Sequence, residues 1–386
     1  MSEETRPIVL ETGSLYVRAG WAGDEKPSVT VPARGEKSPG DAVGDSEKTT
    51  ESLLDMAAGR IDNWEAAARV WASAVSEGLG ASWESRPVLF VDVPGSYKLA
   101  REQWAQVAFE ELRVPAMYLA APAVLALYAN NKTTGLAVGI GHGCTQIMPV
   151  FEGYQLGYAS SGMEMAGREI ETQLQVLMHE GHSGGDVLQW QLERMDWRAL
   201  KESVCEVRPY RSVAASSAPD AAEADGGQTA AAASSTSASP PPKSFSLDAQ
   251  TTVTVSAEEY QGAPEILFAP DAFPNRKRSQ SSLPEKIHLS LQQCEPDTRR
   301  ELLSNVLLYG GTAALPGLDA RLEAELADVV PSSMHVGVHR AHEPAWASWQ
   351  GGSILASLTA FQQMWVTRQE YNESGPPCIM RKDVMR

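Results

Sequence analysis

The sequence predicts an α/β fold with a mixed sheet, and two observations carry that prediction. Between residues 86 and 131, apolar strand-like runs alternate with helical spacing in the order strand, helix, strand, helix. Elsewhere apolar runs flank glycine turns, most plainly in GLAVGIGHGCTQIMPVFEG (135–153), where Gly139, Gly141 and Gly143 alternate with Ile140 and His142. A chain of 386 residues is long enough for two cores or one large bilobed unit.

Near the start, PIVLETGS is an apolar run closing in a Thr-Gly-Ser turn. LYVRAGWAGD is a short, glycine-broken strand, and PSVTVPA follows it. Residues 33–49 have no periodicity and read as loop. From 62 to 79, Trp64, Ala67, Val70, Trp71 and Val75 recur on one helical face. RPVLFVDVP (86–94) reads as a buried strand, 99–111 as a helix and VPAMYLA as a second strand. PAVLALYANN reads as a helix opened by Pro122, which is tolerated in a first turn whose N–H groups lack intrahelical partners. GLAVGI and CTQIMPVF form a hairpin around the glycine turn.

Residues 213–243 are low-complexity Ala/Ser/Pro and cannot bury enough surface to offset chain entropy. A disordered insertion projecting from a loop is expected there. FSLDAQTTVTVS reads as an alternating hairpin, and LLSNVLLYGGTAALPGLDARLEAEL as a strand, a glycine turn and a helix. In SILASLTAFQQMWVTRQEY, Ile354, Leu355, Leu358, Phe361, Met364 and Trp365 repeat at helical spacing. No short-period repeat is present.

Composition narrows the function classes. With 32 basic against 49 acidic residues the net charge is −17, which disfavours a phosphate backbone, so nucleic acid is not expected as the main partner. The opening MSEETRP lacks the basic and apolar regions of a secretory signal. No run of about 18 apolar residues offers a membrane span. Cys144, Cys205, Cys294 and Cys378 are scattered, without CxxC pairs or histidines at metal spacing. A reducing interior without disulfide or zinc is expected.

The glycine turn at 139–143 raises a chemical question. Such a turn between strands can fold its N–H groups around a phosphate. Yet residues 135–151 contain no acid to hold a metal ion and no lysine or arginine to meet the charge.

Several stretches resemble actin. They are ETGSLYVRAGWAGDEKP near the start, VPAMYLAAPAVLALYANNKTTG (114–135), FEGYQLGYA (151–159), MAGREI (165–170) and YGGTAALPG (309–317). The longest and most specific is GGSILASLTAFQQMWVTRQEYNESGP (351–376). The similarity keeps the same order from residue 7 to the end, is interrupted at 33–42 and 213–243, and is weak around 176–197 and 271–300. On these residues the chain is identified as a member of the actins and actin-related proteins. The resemblance implies a bilobed fold shared with hexokinase and the heat-shock chaperones, two α/β halves closing on ATP or ADP and a divalent cation. Residues 1–129 plus 339–386 would form one half and 130–338 the other, with crossings near Ala129 and His339.

Carried over residue by residue, the implied nucleotide contacts are Glu11, Gly13, Ser14, Arg18, Gly141, Gly143, Gly167, Lys201, Glu202, Gly310, Gly311 and Thr312. Several positions depart from the family. The first phosphate-loop aspartate becomes Glu11, a glycine becomes Leu15, whose side chain would crowd the site, and the loop lysine becomes Arg18. The two acids of the second loop fall at Gly139 and His142, and imidazole is a poor substitute for the oxygen ligands Mg²⁺ prefers. The water-orienting glutamine becomes Pro122, which has no side-chain donor or acceptor. A family aromatic becomes Leu315, and the lysine over the adenine is placed at Gly337. The departures imply a pseudo-ATPase that holds Mg²⁺ poorly and hydrolyses weakly or not at all. The retained glycines fit either a working pocket or the needs of the fold alone. His142 reads as a hydrogen-bonded bystander in preference to a general base.

The resemblance also implies a partner groove at Tyr128, Thr133, Tyr154, Ile354, Leu355, Leu358 and Met364, of the type that takes an apolar helix face or loop. Phe361 and Trp365 read as core. The family loop that inserts into a neighbour's groove is about ten residues shorter between Pro32 and VGDSEK. With one docking surface kept and its complement lost, efficient homofilaments are not expected. The expected partners are actin, other actin-related proteins or subunits of a larger complex, in the cytoplasm and cytoskeleton and away from membranes. Two alternatives stand: a slowly hydrolysing ATP-binding filament protein, and a nuclear subunit of a chromatin-modifying complex. NRKRSQ (275–280) is a short basic run that fits a solvated loop as well as a localisation signal. Sugar kinases share the fold, but the C-terminal block argues against that class.

Overall fold

The computed structural model describes residues 6–33, 61, 63–92, 98–181, 192, 195–210, 240–248, 251–273 and 281–382. Most of the expected loop at 33–49, the insertion up to residue 239 and the basic run at 275–280 lie outside the described residues.

The first part of the chain gives strands β1 (Ile8–Thr12), β2 (Tyr16–Trp21) and β3 (Val29–Pro32), helix α1 (Trp64–Ala72), strand β4 (Val88–Val91), helix α2 (Lys98–Gln106), strand β5 (Ala116–Ala120) and helix α3 (Pro122–Ala129). The second part opens with β6 (Gly135–Ile140), β7 (Thr145–Phe151), β8 (Tyr154–Gln155), β9 (Ser161–Met163), α4 (Gly167–Gly181) and α5 (Trp197–Val204). It continues with the hairpin β10 (Lys243–Ser246) and β11 (Thr252–Val255), then α6 (Ala257–Gly262), α7 (Leu283–Gln293) and α8 (Pro296–Ser304). β12 (Val306–Tyr309), α9 (Leu318–Val329) and β13 (Val338–Arg340) complete it. The chain then runs through α10 (Ala347–Ser357), β14 (Val366–Thr367) and α11 (Arg368–Ser374).

Two mixed sheets result. One has the order β14-β5-β4-β1-β2-β3, the other β13-β12-β6-β7-β8 with β9 paired to β7. His339 belongs to β13, so the chain leaves the second sheet only after Arg340. The central strands are buried on both faces, as parallel neighbours covered by helices require. Alternation along β1 sends Ile8 and Leu10 into a core with Trp71, Phe90 and Trp104, while Val9 faces Leu89, Tyr118 and Trp349. Trp71 and Trp104 stack at 4.6 Å between ring centroids. The second core gathers Val138, Ile170, Leu174, Leu200, Leu308 and Leu322.

Between the sheets α3 and α10 lie in close contact. A Cβ on Gly351 would stand 1.9 Å from the Leu125 carbonyl oxygen, so only glycine permits this approach. The Trp349 indole donates to the Val9 carbonyl at 3.0 Å, tying α10 to β1.

The C-terminal block departs from the single helical run its spacing predicts. α10 ends at Ser357, Leu358 is extended (φ −71°, ψ 133°), and Thr359–Met364 form a tight 3₁₀ turn. A capping box of Thr367 and Glu370 then starts α11. The turn packs against the first sheet: Phe361 meets Tyr118 edge-on at 4.8 Å and Trp365 at 5.1 Å. The helices expected at 62–79 and 99–111 likewise change geometry part-way, each closing in a π-helical turn, Ser73–Gly78 and Val107–Glu111.

Candidate functional site

A cavity of about 510 Å³ opens between the two sheets. Its walls are the β1–β2 turn, the β6–β7 hairpin, Lys201 and Glu202 of α5, the turn Gly310–Pro316 after β12, and Pro344–Ser348 at the entry to α10.

The β1–β2 register sets Glu11 opposite Arg18. Their side chains form an ion pair at 3.2 Å. Burial pushes the Glu11 carboxyl above its usual range, and Arg18 offsets only part of that. The turn closes on itself, Gly13 N–H donating to the Tyr16 carbonyl at 2.9 Å. Thr12 Oγ1 accepts from the buried Trp71 indole at 2.9 Å, which fixes the turn to the core. At the mouth the Arg198 guanidinium lies over the Tyr16 ring at 5.4 Å, a contact that joins the two halves.

The opposite wall is a row across three neighbouring strands. Tyr309 of β12 pairs with Gly139 of β6, and Gly139 with Gln146 of β7. A Cβ on Gly139 would stand 2.5 Å from Tyr309 Cζ and 2.7 Å from its hydroxyl, so the tyrosine ring fills the space of a side chain at 139. The Tyr309 hydroxyl and Gln146 Oε1 are buried without a hydrogen-bond partner. Burial also pushes the Tyr309 phenol far above its ordinary range.

Behind this row Lys201 Nζ pairs with Glu171 Oε1 at 2.7 Å, and His142 Nδ1 lies 3.5 Å from the same oxygen. Burial alone would raise the Glu171 carboxyl, but His142 and Lys201 together hold it below the usual range. Thr312 Oγ1 donates to the Gly141 carbonyl at 2.7 Å and so joins the β12 turn to the β6–β7 hairpin. Gly167 packs beneath them, where a Cβ would meet Thr312 Oγ1 at 2.5 Å.

Ten of the twelve nucleotide contacts named from the sequence line the cavity: Glu11, Gly13, Ser14, Arg18, Gly141, Lys201, Glu202, Gly310, Gly311 and Thr312. Gly143 and Gly167 do not, although Gly167 supports the floor. Leu15, Pro122, Gly139, His142 and Leu315 line it as expected. Gly337 does not face it: a Cβ there would meet the Ser304 carbonyl at 2.6 Å, and Ala345 lines the cavity instead. Sequence reading missed Tyr309, Gln146, Asp92 and Cys144 as lining residues. The only signal for Tyr309 was its place at the end of an apolar run, directly before a double glycine.

A family model for actin matches residues 2–383. The chain belongs to the actin family. The two α/β halves and the cleft between them are the actin-like architecture.

Actin-family membership implies Mg²⁺ with the nucleotide, and the donor set does not fit the ion. Glu11 is engaged by Arg18, the space at Gly139 is filled by Tyr309, and His142 faces Glu171. Among the described residues no group of three His, Cys, Asp or Glu side chains converges on a cation position. Mg²⁺ beside a nucleotide is ordinarily held through one or two carboxylates together with phosphate and water oxygens, and at the two second-loop positions where the family carries acids this chain has Gly139 and His142.

The residues of the implied actin-type groove form two sets that share Tyr128: Thr133 and Tyr154 on either side of Gly153, and Leu355 and Met364 in one apolar cluster, with Ile354 and Leu358 beside Leu355 at the end of α10. Gly153, at φ +85°, donates to the Thr133 carbonyl at 2.8 Å and sits under the Tyr128 hydroxyl, where a Cβ would be 2.7 Å away. Burial, with Tyr154 beside it, pushes the Tyr128 phenol up. Tyr154, Ile354 and Leu358 are 50%, 42% and 49% exposed, whereas Leu355 is core. Tyr128 and Met364 are half-buried against the same cluster as Leu355. Among the described residues no helix is long and apolar enough to cross a membrane.

Proposed function

We propose that this actin-family protein is a non-catalytic structural subunit of a cytoskeletal assembly in the cytoplasm. In this reading it docks through the apolar set around Tyr154, Ile354 and Leu358 on actin, an actin-related protein or a subunit of a larger complex. The observation that carries the proposal is the Gly139–Tyr309 contact, where an aromatic ring occupies the side-chain space of a second-loop acid. Without that acid, and with Pro122 at the water-orienting position, no group on this wall organises a cation or an attacking water.

The exposed apolar residues support the docking half of the proposal, since grooves of this kind bind an apolar helix face or loop. Homofilaments are not expected. The test is sedimentation of the protein alone and with actin under polymerising conditions, with phosphate release followed in the same samples. The proposal predicts no pellet alone, co-sedimentation or capping with actin that Leu358→Asp abolishes, and no phosphate above the actin control. Homofilaments with steady phosphate release would overturn it.

A further inference from the structure

We infer that Tyr16 and Arg198 form a latch across the mouth of the cleft, so that closure of the two halves is held by the chain's own side chains. The inference does not rest on the proposed loss of catalysis, since it concerns how the halves are joined and not what the cleft does.

Among the described residues the chain passes between the halves at two places. α3 leads from β5 of the first sheet to β6 of the second, and the chain returns from β13 to α10. The two connections pack on each other where Gly351 meets the Leu125 carbonyl. Two bodies joined in this way can open about the joint as a hinge, unless a contact elsewhere fastens them.

Tyr16 and Arg198 make such a contact. The Arg198 guanidinium carbon lies 5.4 Å from the centroid of the Tyr16 ring, within cation–π range. Each partner sits on a firmly held element. Tyr16 opens β2, pairs in register with Pro32 of β3, and its carbonyl accepts from the Gly13 N–H at 2.9 Å. Arg198 stands in the first turn of α5, which Asp196 caps by accepting from the Ala199 N–H at 3.0 Å. The same helix buries Leu200 and Val204 in the second core and holds Lys201 on Glu171 at 2.7 Å. Parting of the halves would therefore carry the ring and the guanidinium away from each other, and the contact belongs to the closed arrangement. The Arg18 guanidinium lies 5.9 Å from the same ring, and Glu11, paired with it at 3.2 Å, offsets its repulsion of Arg198.

The test is hydrogen exchange of the full chain, followed by mass spectrometry on the cleft turns at 11–18, 139–144 and 310–316. Arg198→Gln and Tyr16→Leu each remove the contact and should speed exchange there about three- to tenfold, with the two cores unchanged. The double variant should be no faster than the faster single variant, because both changes remove one contact. Tyr16→Phe, which keeps the ring face, should match the parent protein. Unchanged exchange in either single variant, an increase shared by the two cores, additive effects in the double variant, or Tyr16→Phe behaving like Tyr16→Leu would each overturn the latch.

Discussion

Gly139 and Tyr309 are complementary: the ring of one stands where the side chain of the other would be, with 2.5 Å between a Cβ at 139 and Tyr309 Cζ. The two residues pair in register between β6 and β12 although 170 positions separate them in the chain. Gly139→Ala should destabilise the protein by about 1–3 kcal/mol through overpacking. In a Tyr309→Ala background the same change should be nearly neutral, so the pair couples by a comparable amount. Urea unfolding of the two single variants and the double variant measures this, and additive effects would contradict the pairing.

Glu171 supplies a pH dependence of known sign. Its carboxyl is held below the ordinary value, chiefly against burial, by His142 and Lys201. Its stabilisation is therefore present above the unfolded carboxylate pKa, about 4.3, and is lost as pH falls through the depressed folded value. Glu171→Gln should lower the urea midpoint at pH 7, and the gap from the parent protein should narrow as pH drops below about 4. A gap that is constant with pH would show that the charge is not responsible.

Cys144 lines the cleft, yet burial, helped by Glu169, pushes its thiol up to about 11. Only the thiolate reacts with alkylating agents. At pH 8 its alkylation, followed by site-resolved mass spectrometry, should be slow and should rise roughly tenfold per pH unit toward pH 10. Complete labelling within minutes at pH 8 would contradict that environment.

α10 and α3 depend on Gly351. Its Cβ would overlap the Leu125 backbone at 1.9 Å, whereas the neighbouring Gly352 would meet only side-chain carbons, Leu89 Cδ2 at 3.0 Å and Val9 Cγ1 at 3.1 Å. Gly351→Ala should cost more than about 3 kcal/mol or prevent folding, and Gly352→Ala about 1–2 kcal/mol. Thermal melting of the two variants should separate clearly, and equal melting temperatures would refute the contact.

Local pattern made much of the fold legible. The strands at Val88–Val91, Ala116–Ala120, Gly135–Ile140 and Thr145–Phe151 follow from apolar runs bounded by turns, and Pro122 marks the start of α3. The path after Ser357 was not legible. Helical spacing of Leu358, Phe361 and Trp365 also satisfies a 3₁₀ turn that packs the two aromatics against Tyr118. In the cleft, motif residues could be placed by resemblance, but Tyr309 could not, because its role depends on the β6–β12 register. Gly337 and Ala345 show the same limit: both lie near the entry to α10 in sequence, and only packing decides that Ala345 faces the cavity.

In the proposed reading, this actin-family cleft has given up metal-assisted phosphate binding. The most direct test is the nucleotide content of the protein purified without added ATP, denatured, and resolved by ion-exchange chromatography. No stoichiometric ATP or ADP is expected in the supernatant. Near-stoichiometric ATP or ADP, released together with Mg²⁺, would contradict it.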